Sequence, residues 1–202
     1  MAITDNYSDE ALKERFFLHK MYVESTFNWR HSHMIDQVRL PNMPEDISEN
    51  IVKFIARNIL NVQDCVWTKG ATQEGDEEEV ITSGDLHSPT LGKLECKCFT
   101  SDGPLSFGPT ENWNVLYFLD ARDWLDDRFV LYVFEDTNES SVWQNVKVNK
   151  TQTYADQCKA KRRPRISWNS LHPQLGNKCV VAYDGTFDGI FQKQPAAVAT
   201  VE

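Results

Sequence analysis

Three residues whose side chains suit phosphate chemistry stand close together in the stretch GDLHSPTLGKLECKCF, residues 84–99. Asp85 is the second residue of the stretch, and Glu95 and Lys97 follow ten and twelve positions later. Carboxylate oxygens are preferred ligands of Mg²⁺, which keeps several of its waters and combines readily with phosphate. A lysine beside such an ion would orient or deprotonate the attacking water, or stabilise charge on the phosphorane. These residue types therefore predict metal-assisted hydrolysis of a phosphodiester.

The local pattern predicts a strand pair that would bring these side chains together. A strand over 93–99 puts Glu95 and Lys97 on one face, whereas Cys96 and Cys98 point to the other face and pack into the core. A turn within LHSPTLGKL makes the two strands antiparallel, so Asp85 lies within about one residue of facing Glu95. An ordinary exposed strand face is the alternative, because charged clusters also arise for structural reasons.

Helices and further strands surround the motif in the sequence. Helical patterns cover about 8–26 and 44–60, and the second has apolar residues at helical spacing. The acidic run at 74–79 is interpreted as an exposed loop. Aromatic and β-branched runs predict two more strands at 113–119 and 129–135. The second helix should bury Ile47, Ile51, Phe54, Ile55 and Ile59.

The order of the elements predicts an α/β fold, with a central mixed β-sheet flanked by helices in one domain over 1–191. Within it we expect a helical N-terminal part at 8–60, a catalytic sheet at 80–135 and a basic, DNA-contacting part at 147–178. The remaining residues, 192–202, have little to bury and are expected to fray.

Composition favours a folded intracellular protein over the other broad classes. Of the 202 residues, 41% are hydrophobic, and no apolar run approaches the ~20 residues that a membrane helix needs. The polar N-terminus has no apolar signal core. The five cysteines contain no CxxC pair, which suits a reduced protein better than a disulfide scaffold or a zinc site. We therefore expect a cytoplasmic protein with no membrane partner.

The distribution of charge predicts a nucleic-acid partner although the net charge is −9. Residues 147–178 hold eight Lys or Arg and one acid, and five of these bases fall within 159–165. Pro164 stops a helix there, so the run should be an extended segment or loop that reaches a groove. A solvated surface is the alternative. The candidate DNA contacts are Lys150, Lys159, Lys161, Arg162, Arg163 and Arg165, with Thr100 and Ser101 from the loop after the motif strand.

The spacing GD-x9-ECK resembles the PD-(D/E)xK signature of the restriction-endonuclease-like nuclease superfamily. Gly84 stands where the signature often has Pro. The resemblance implies that Asp85 and Glu95 are metal ligands and that Lys97 is the catalytic lysine. It also implies a central sheet that carries the motif behind an N-terminal helical part.

Two further site residues follow from the resemblance alone. Members of the superfamily often use the main-chain carbonyl between the Glu and the Lys as a ligand, which is that of Cys96 in this chain. Many also supply an acid from a helix before the motif, and Glu49 is the best-placed candidate for a catalytic role. An exposed helix position is the alternative for Glu49.

Size, element order and the basic segment look most like a type II restriction endonuclease. That likeness implies Mg²⁺-dependent cleavage of double-stranded DNA at a short, palindromic sequence by a homodimer. Two alternatives stay open. A structure-specific or repair nuclease of the same superfamily would cut according to DNA shape, and a non-enzymatic nucleic-acid-binding protein would use 84–99 simply as a strand pair.

Overall fold

The computed structural model describes residues 3–5, 7–35, 39–73 and 84–192. The acidic run at 74–79 and the tail at 193–202 lie outside the described residues. The helices are α1 (Asp9–His33), α2 (Glu45–Asn58), α3 (Ser141–Gln144), α4 (Tyr154–Lys159) and α5 (Trp168–Leu175). The strands are β1 (Ile3–Asp5), β2 (Val66–Trp67), β3 (Ala71–Gln73), β4 (Leu86–Ser88), β5 (Gly92–Phe99), β6 (Pro104–Ser106), β7 (Val115–Asp120), β8 (Phe129–Phe134), β9 (Arg165–Ser167) and β10 (Cys179–Gly185).

The central sheet has the strand order β10-β8-β7-β5-β4-β2. Strands β5 and β7 run parallel, whereas the other neighbouring pairs are antiparallel. Strands β6 and β9 form a separate two-stranded ribbon, and so do β1 and β3. The predicted mixed sheet is confirmed.

Each face of the sheet has its own apolar core, as the alternation of side chains along a strand requires. Tyr117 and Leu119 of β7 pack with residues of α1 and α2 on one face. Leu116 and Phe118 of the same strand pack on the other face with Trp143 and further residues of α3 to α5. Helices therefore flank the sheet, and the predicted fold class is confirmed.

Helix α1 is longer than its sequence pattern indicates. Its N-terminal cap is Ser8, whose Oγ accepts a hydrogen bond from the Ala11 backbone N–H at 3.2 Å. The helix continues past residue 26 to His33 and ends where Met34 adopts a left-handed conformation, φ 54°. No Gly or Pro occurs between residue 26 and His33. The basic residues of the last turn interact favourably with the negative, C-terminal end of the helix dipole.

Helix α2 is buried on more sides than its apolar stripe predicts. Every residue from 47 to 56 is buried, because the helix contacts α1, β5 and β7. Its polar positions Glu49 and Lys53 therefore also lie inside the protein. No helix of the described residues is long and apolar enough to cross a membrane.

A buried ion-pair cluster attaches β1 to α2. Lys53 Nζ donates to Asp5 Oδ1 at 2.7 Å and to the Tyr7 carbonyl at 2.8 Å. Asp5 Oδ2 accepts from Arg57 at 3.3 Å and from the Trp67 backbone N–H at 3.0 Å. Both oxygens of the acid are therefore paired within the fold.

Candidate active site

The β4–β5 pair brings Asp85 to the strand that carries Glu95. Leu86 pairs with Leu94 in the antiparallel register, so Asp85 is placed next to the start of the motif. Asp85 Oδ2 accepts a hydrogen bond from the Cys96 backbone N–H at 2.9 Å. This bond aims the Asp85 carboxylate at the Glu95–Lys97 segment.

Gly84 marks a conformational departure from the motif that the chain resembles. Its φ is +96°, whereas the proline ring fixes φ near −65°. The Gly84 carbonyl accepts a hydrogen bond from Thr68 Oγ1 at 2.7 Å, which anchors this turn. Glycine is therefore required here by the backbone, because other side chains rarely adopt this conformation.

A cleft of about 440 Å³ lies over the motif and is strongly acidic. Among the described residues, two basic side chains line it, Lys97 and Arg163. Five acids oppose them: Glu45, Glu49, Asp85, Glu95 and Glu111. This excess of carboxylates favours binding of a cation in the cleft.

Lys97 lies between two acids inside the cleft. Its Nζ is 2.5 Å from Glu95 Oε1 and 3.3 Å from Glu111 Oε1. Burial opposes the charge on Lys97, but these two carboxylates outweigh it and raise the pKa of the lysine. In the metal-free protein these two carboxylates therefore favour the protonated ammonium form of Lys97.

Burial makes two of the acids unusually hard to ionise. It raises the pKa of Glu95 to about 7 against the attraction of Lys97, and the charge of Asp85 adds to the rise. It also raises the pKa of Glu49 to about 7, although hydrogen bonds from Lys69 and Trp67 oppose the change. A divalent cation would relieve this cost, because a nearby opposite charge favours the ionised form.

Glu49 lies at the cleft and not on an exposed helix face. Its Oε2 accepts from the Trp67 indole N–H at 2.6 Å, and its Oε1 accepts from Lys69 Nζ at 2.8 Å. The exposed-helix alternative is therefore wrong. The structure brings Glu49 together with Asp85, Glu95 and Lys97.

The donors that line the cleft fit a Mg²⁺ ion. Asp85 and Glu95 offer carboxylate oxygens there, and Cys96 lines the same cleft. No three His, Cys, Asp or Glu residues of the described ranges form a group that would hold a metal ion by themselves. Mg²⁺ does not require such a cage, because it is commonly bound by one or two carboxylates, water and substrate phosphate.

The predicted DNA contacts fall into two sets. Thr100, Ser101 and Arg163 line the cleft. The remaining candidates are exposed outside it: Lys150, Lys159, Lys161, Arg162 and Arg165. Arg165 lies on β9, whose partner β6 contributes residues 104–106 to the cleft wall. The basic segment therefore continues from the cleft onto the neighbouring surface.

Comparison with known proteins identifies the family. The model of the Bsp6I restriction endonuclease family matches residues 18–171, which is most of the chain and includes the whole motif. The chain belongs to the Bsp6I restriction endonuclease family. This membership confirms the resemblance that the motif indicates.

A curated member of the Bsp6I family shares clear sequence identity with this chain. The type II restriction enzyme Bsp6I from Bacillus sp. (strain RFL6) is 37% identical over 89 residues, 43% of this chain. The match spans about half of that relative, 49% of its length. No solved structure matches the chain.

Among the described residues, Glu45 and Glu111 are cleft acids that the sequence pattern does not reveal, and Glu111 is the one in contact with Lys97. Glu111 lies in the loop between β6 and β7, outside any regular spacing. Its proximity to Lys97 depends on the parallel pairing of β5 with β7, which sequence periodicity does not predict. The one signal in the sequence is its place near the end of the Gly/Pro-rich loop at 100–112, just before the predicted strand 113–119.

Proposed function

We propose that this protein is a Mg²⁺-dependent endodeoxyribonuclease that cleaves double-stranded DNA at a short palindromic sequence. One observation carries the proposal. The matched region of the restriction endonuclease family contains Asp85, Glu95 and Lys97, and these three residues line one acidic cleft.

Asp85, Glu95 and the main-chain carbonyl of Cys96 would hold the metal ion. The excess of carboxylates in the cleft and the raised pKa of Glu95 support this assignment. A bound Mg²⁺ ion would supply positive charge to the scissile phosphate and acidify nearby water. Glu49 adds negative charge to the same cleft while Trp67 and Lys69 hold its side chain.

Lys97 acts as a cation in this proposal. Its ammonium group is held in the cleft by Glu95 and Glu111. There it would stabilise the negative charge that develops on the phosphate during attack, in a partly buried site where such stabilisation is stronger than in water. It also offers N–H donors that would orient the attacking water.

The cleft rim supplies the contacts to the DNA backbone. Arg163 would pair with a phosphate, and the hydroxyls of Thr100 and Ser101 would donate to phosphate oxygens. The exposed basic residues outside the cleft would extend this contact along the duplex. These residues are Lys150, Lys159, Lys161, Arg162 and Arg165.

The proposed partner besides DNA is a second copy of this chain. One acidic cleft would cut one strand, and a two-fold dimer matches the two-fold symmetry of a palindrome. We place the protein in the reducing interior of the cell, and its five free cysteines support this location.

The test is digestion of unmethylated phage DNA with Mg²⁺ or with EDTA. The proposal predicts discrete bands with Mg²⁺ alone, and sequencing of the fragment ends would give the recognition site. Lys97→Ala is the matched variant, because it removes the ammonium group and leaves the acids of the cleft. It should bind DNA but cleave it about 10²- to 10⁴-fold more slowly.

The other outcomes each contradict part of the proposal. A Mg²⁺-dependent smear would show cleavage governed by DNA shape or no sequence at all, as in a structure-specific or repair nuclease. Intact DNA in both lanes on several substrates would favour the alternative of a non-enzymatic nucleic-acid-binding protein. Unchanged cleavage by Lys97→Ala would remove the lysine from the mechanism.

A further inference from the structure

Helix α1 carries apolar side chains on two opposite sides. One side faces the core through Leu12, Phe16 and Val23. The other side faces solvent with five large apolar residues, each between 48% and 61% exposed: Phe17, Leu18, Met21, Tyr22 and Trp29. At about 100° per residue, these five fall within one strip that spans roughly 140° of the helix surface. We call them the outer strip of α1.

The outer strip is large enough to form the centre of a stable interface. Its three aromatic residues are each about half exposed, and an aromatic side chain buries roughly 150–250 Å². With Leu18 and Met21 the strip exposes roughly 500 Å² of apolar surface, which is at the upper end for a monomer and is often functional. Two such strips with their polar rims would reach the ~1,200–2,000 Å² of a standard interface.

The charges at the two ends of α1 match an antiparallel copy of the same helix. The first turn is acidic, with Asp9 and Glu10, and the last turn is basic, with His31 and His33 among its residues. Met21 is the midpoint of the helix and lies on the outer strip. A two-fold axis through Met21 would place each acidic turn opposite a basic turn and would oppose the two helix dipoles.

We propose that the outer strip of α1 is the surface through which two copies of this chain associate. This inference rests on the proposed function in one respect, namely that two copies of the chain are needed to cut both strands of a duplex. The contact is isologous, so Met21 meets Met21 of the second copy. The two active-site clefts are then fixed relative to each other by the pair of helices.

The test is sedimentation velocity on the full chain without DNA or metal. Met21→Glu places two negative charges against each other at the proposed axis. Val181→Glu is the matched control, because Val181 is 57% exposed and lies on β10 at the edge of the central sheet. We expect a dimer at micromolar concentration for the wild type and Val181→Glu, and a monomer with unchanged circular dichroism for Met21→Glu.

Each alternative result would overturn the inference. A monomeric wild type at about 50 µM, or a dimeric Met21→Glu, would exclude the outer strip. Dissociation by Val181→Glu would assign the interface to the exposed sheet edge. Sedimentation does not require cleavage, so this inference and the nuclease proposal fail separately. In the nuclease assay, Met21→Glu should accumulate nicked plasmid about tenfold over the wild type.

A second inference concerns Glu111, which contacts the proposed catalytic lysine. Its Oε1 lies 3.3 Å from Lys97 Nζ, and its Oε2 is buried without a partner among the described residues. Asn138 holds the loop, because its Nδ2 donates to the Glu111 carbonyl at 3.0 Å. Gly108 leaves room for the Glu111 side chain, because a Cβ added at Gly108 would lie only 2.9 Å from Glu111.

We infer that Glu111 is a positioning residue for Lys97, which deepens the proposed function. Glu95 and Glu111 share the lysine ammonium. When Glu95 engages a cation, its hold on Lys97 weakens, and Glu111 remains as the carboxylate that keeps Nζ in the cleft. Loss of the Glu111 carboxylate should therefore lower the rate of the cleavage step and leave the affinity for DNA unchanged.

The test compares Glu111→Gln with Glu139→Gln, which removes an exposed acid outside the cleft. Glu111→Gln should lower the single-turnover cleavage rate about tenfold at saturating DNA. The DNA dissociation constant in EDTA and the melting temperature should stay unchanged, and the variant should have no further effect in Lys97→Ala.

Three results would refute the positioning role. They are an unchanged rate in Glu111→Gln, equal losses of rate and of DNA binding, and a further loss in the Lys97→Ala background. An inactive wild type would instead refute the proposed function.

Discussion

Two clusters of buried charge in this protein are built from the same residue types and end in different states. Around Asp5, one carboxylate is matched by Lys53 and Arg57 and by a backbone N–H, and all its oxygens are paired. Around Glu95, five acids line a cleft that opens to solvent. Lys97 and Arg163 also line it, and Lys69 pairs with Glu45 and Glu49. In the first cluster the fold pairs the single carboxylate completely, whereas the second is left with more acids than bases.

The difference separates a structural role from a functional one. A saturated ion pair gains nothing from a further ligand, because its donors and acceptors are already used. An acid-rich cleft has raised pKa values and a buried unpartnered oxygen at Glu111, so a cation would stabilise it. Functional sites commonly keep this kind of local instability.

The largest expected effect is on the saturated cluster. Lys53→Met should lower the free energy of unfolding by about 3–5 kcal/mol, because it leaves the buried Asp5 carboxylate without its main partner. Guanidinium denaturation would measure the change. Lys20→Met is the control, since the Lys20–Glu24 pair is 4.0 Å long and partly exposed, and it should cost less than about 0.5 kcal/mol. Similar losses of unfolding free energy in the two variants would show that the buried Asp5–Lys53 pair stabilises the fold no more than an exposed pair does.

The next largest expected effect is a gain of stability, and it comes from removing an acid of the acid-rich cleft. The pKa of Glu95 is raised to about 7 in the folded protein, so the folded state binds more protons than the unfolded state between about pH 4.5 and 7. Stability therefore falls as pH rises through this window and stays low above it. Glu95→Gln removes this cost and should stabilise the metal-free protein by about 2–3 kcal/mol at pH 8.

The measurement for Glu95→Gln is urea denaturation at pH 5 and pH 8 in EDTA. The gain should appear at pH 8 and largely vanish at pH 5, where the wild-type carboxyl is protonated. A destabilised variant at pH 8 would show that the Glu95–Lys97 pair stabilises the fold in the way that Asp5–Lys53 does.

The smallest effect is that of metal on stability. Mg²⁺ at tenfold its dissociation constant should raise the free energy of unfolding of the wild type by about 1.4 kcal/mol. Glu95→Gln should lose this response, whereas Lys53→Met should keep it despite its lower stability. Calorimetric melting with Mg²⁺ or EDTA would measure both. A response that survives Glu95→Gln would place the metal elsewhere.

Local sequence patterns predict the parts of this structure that depend on near neighbours. The alternation over 93–99 predicts which side of β5 carries Glu95 and Lys97, and the turn before it predicts the approach of Asp85. Both depend on the strand period and on a short connection, so few residues decide them.

The parts that the sequence does not predict depend on distant packing. Glu49 lies off the apolar stripe of α2, and only the contacts of α2 with the sheet show that this side is also buried. Glu111 reaches Lys97 through the pairing of β5 with β7. The outer strip of α1 is missed for another reason, because apolar residues on both sides of a helix obscure its periodicity.

Glu95→Gln tests in a single protein preparation whether the acid-rich cleft is a nuclease site that is kept at the expense of stability. The measurement pairs the cleavage rate on phage DNA in Mg²⁺ with the free energy of unfolding in EDTA at pH 8. We expect the variant to cleave at least about 10²-fold more slowly and to be more stable than the wild type. A variant that cleaves at the wild-type rate, or that is inactive because it has lost stability, would contradict this expectation.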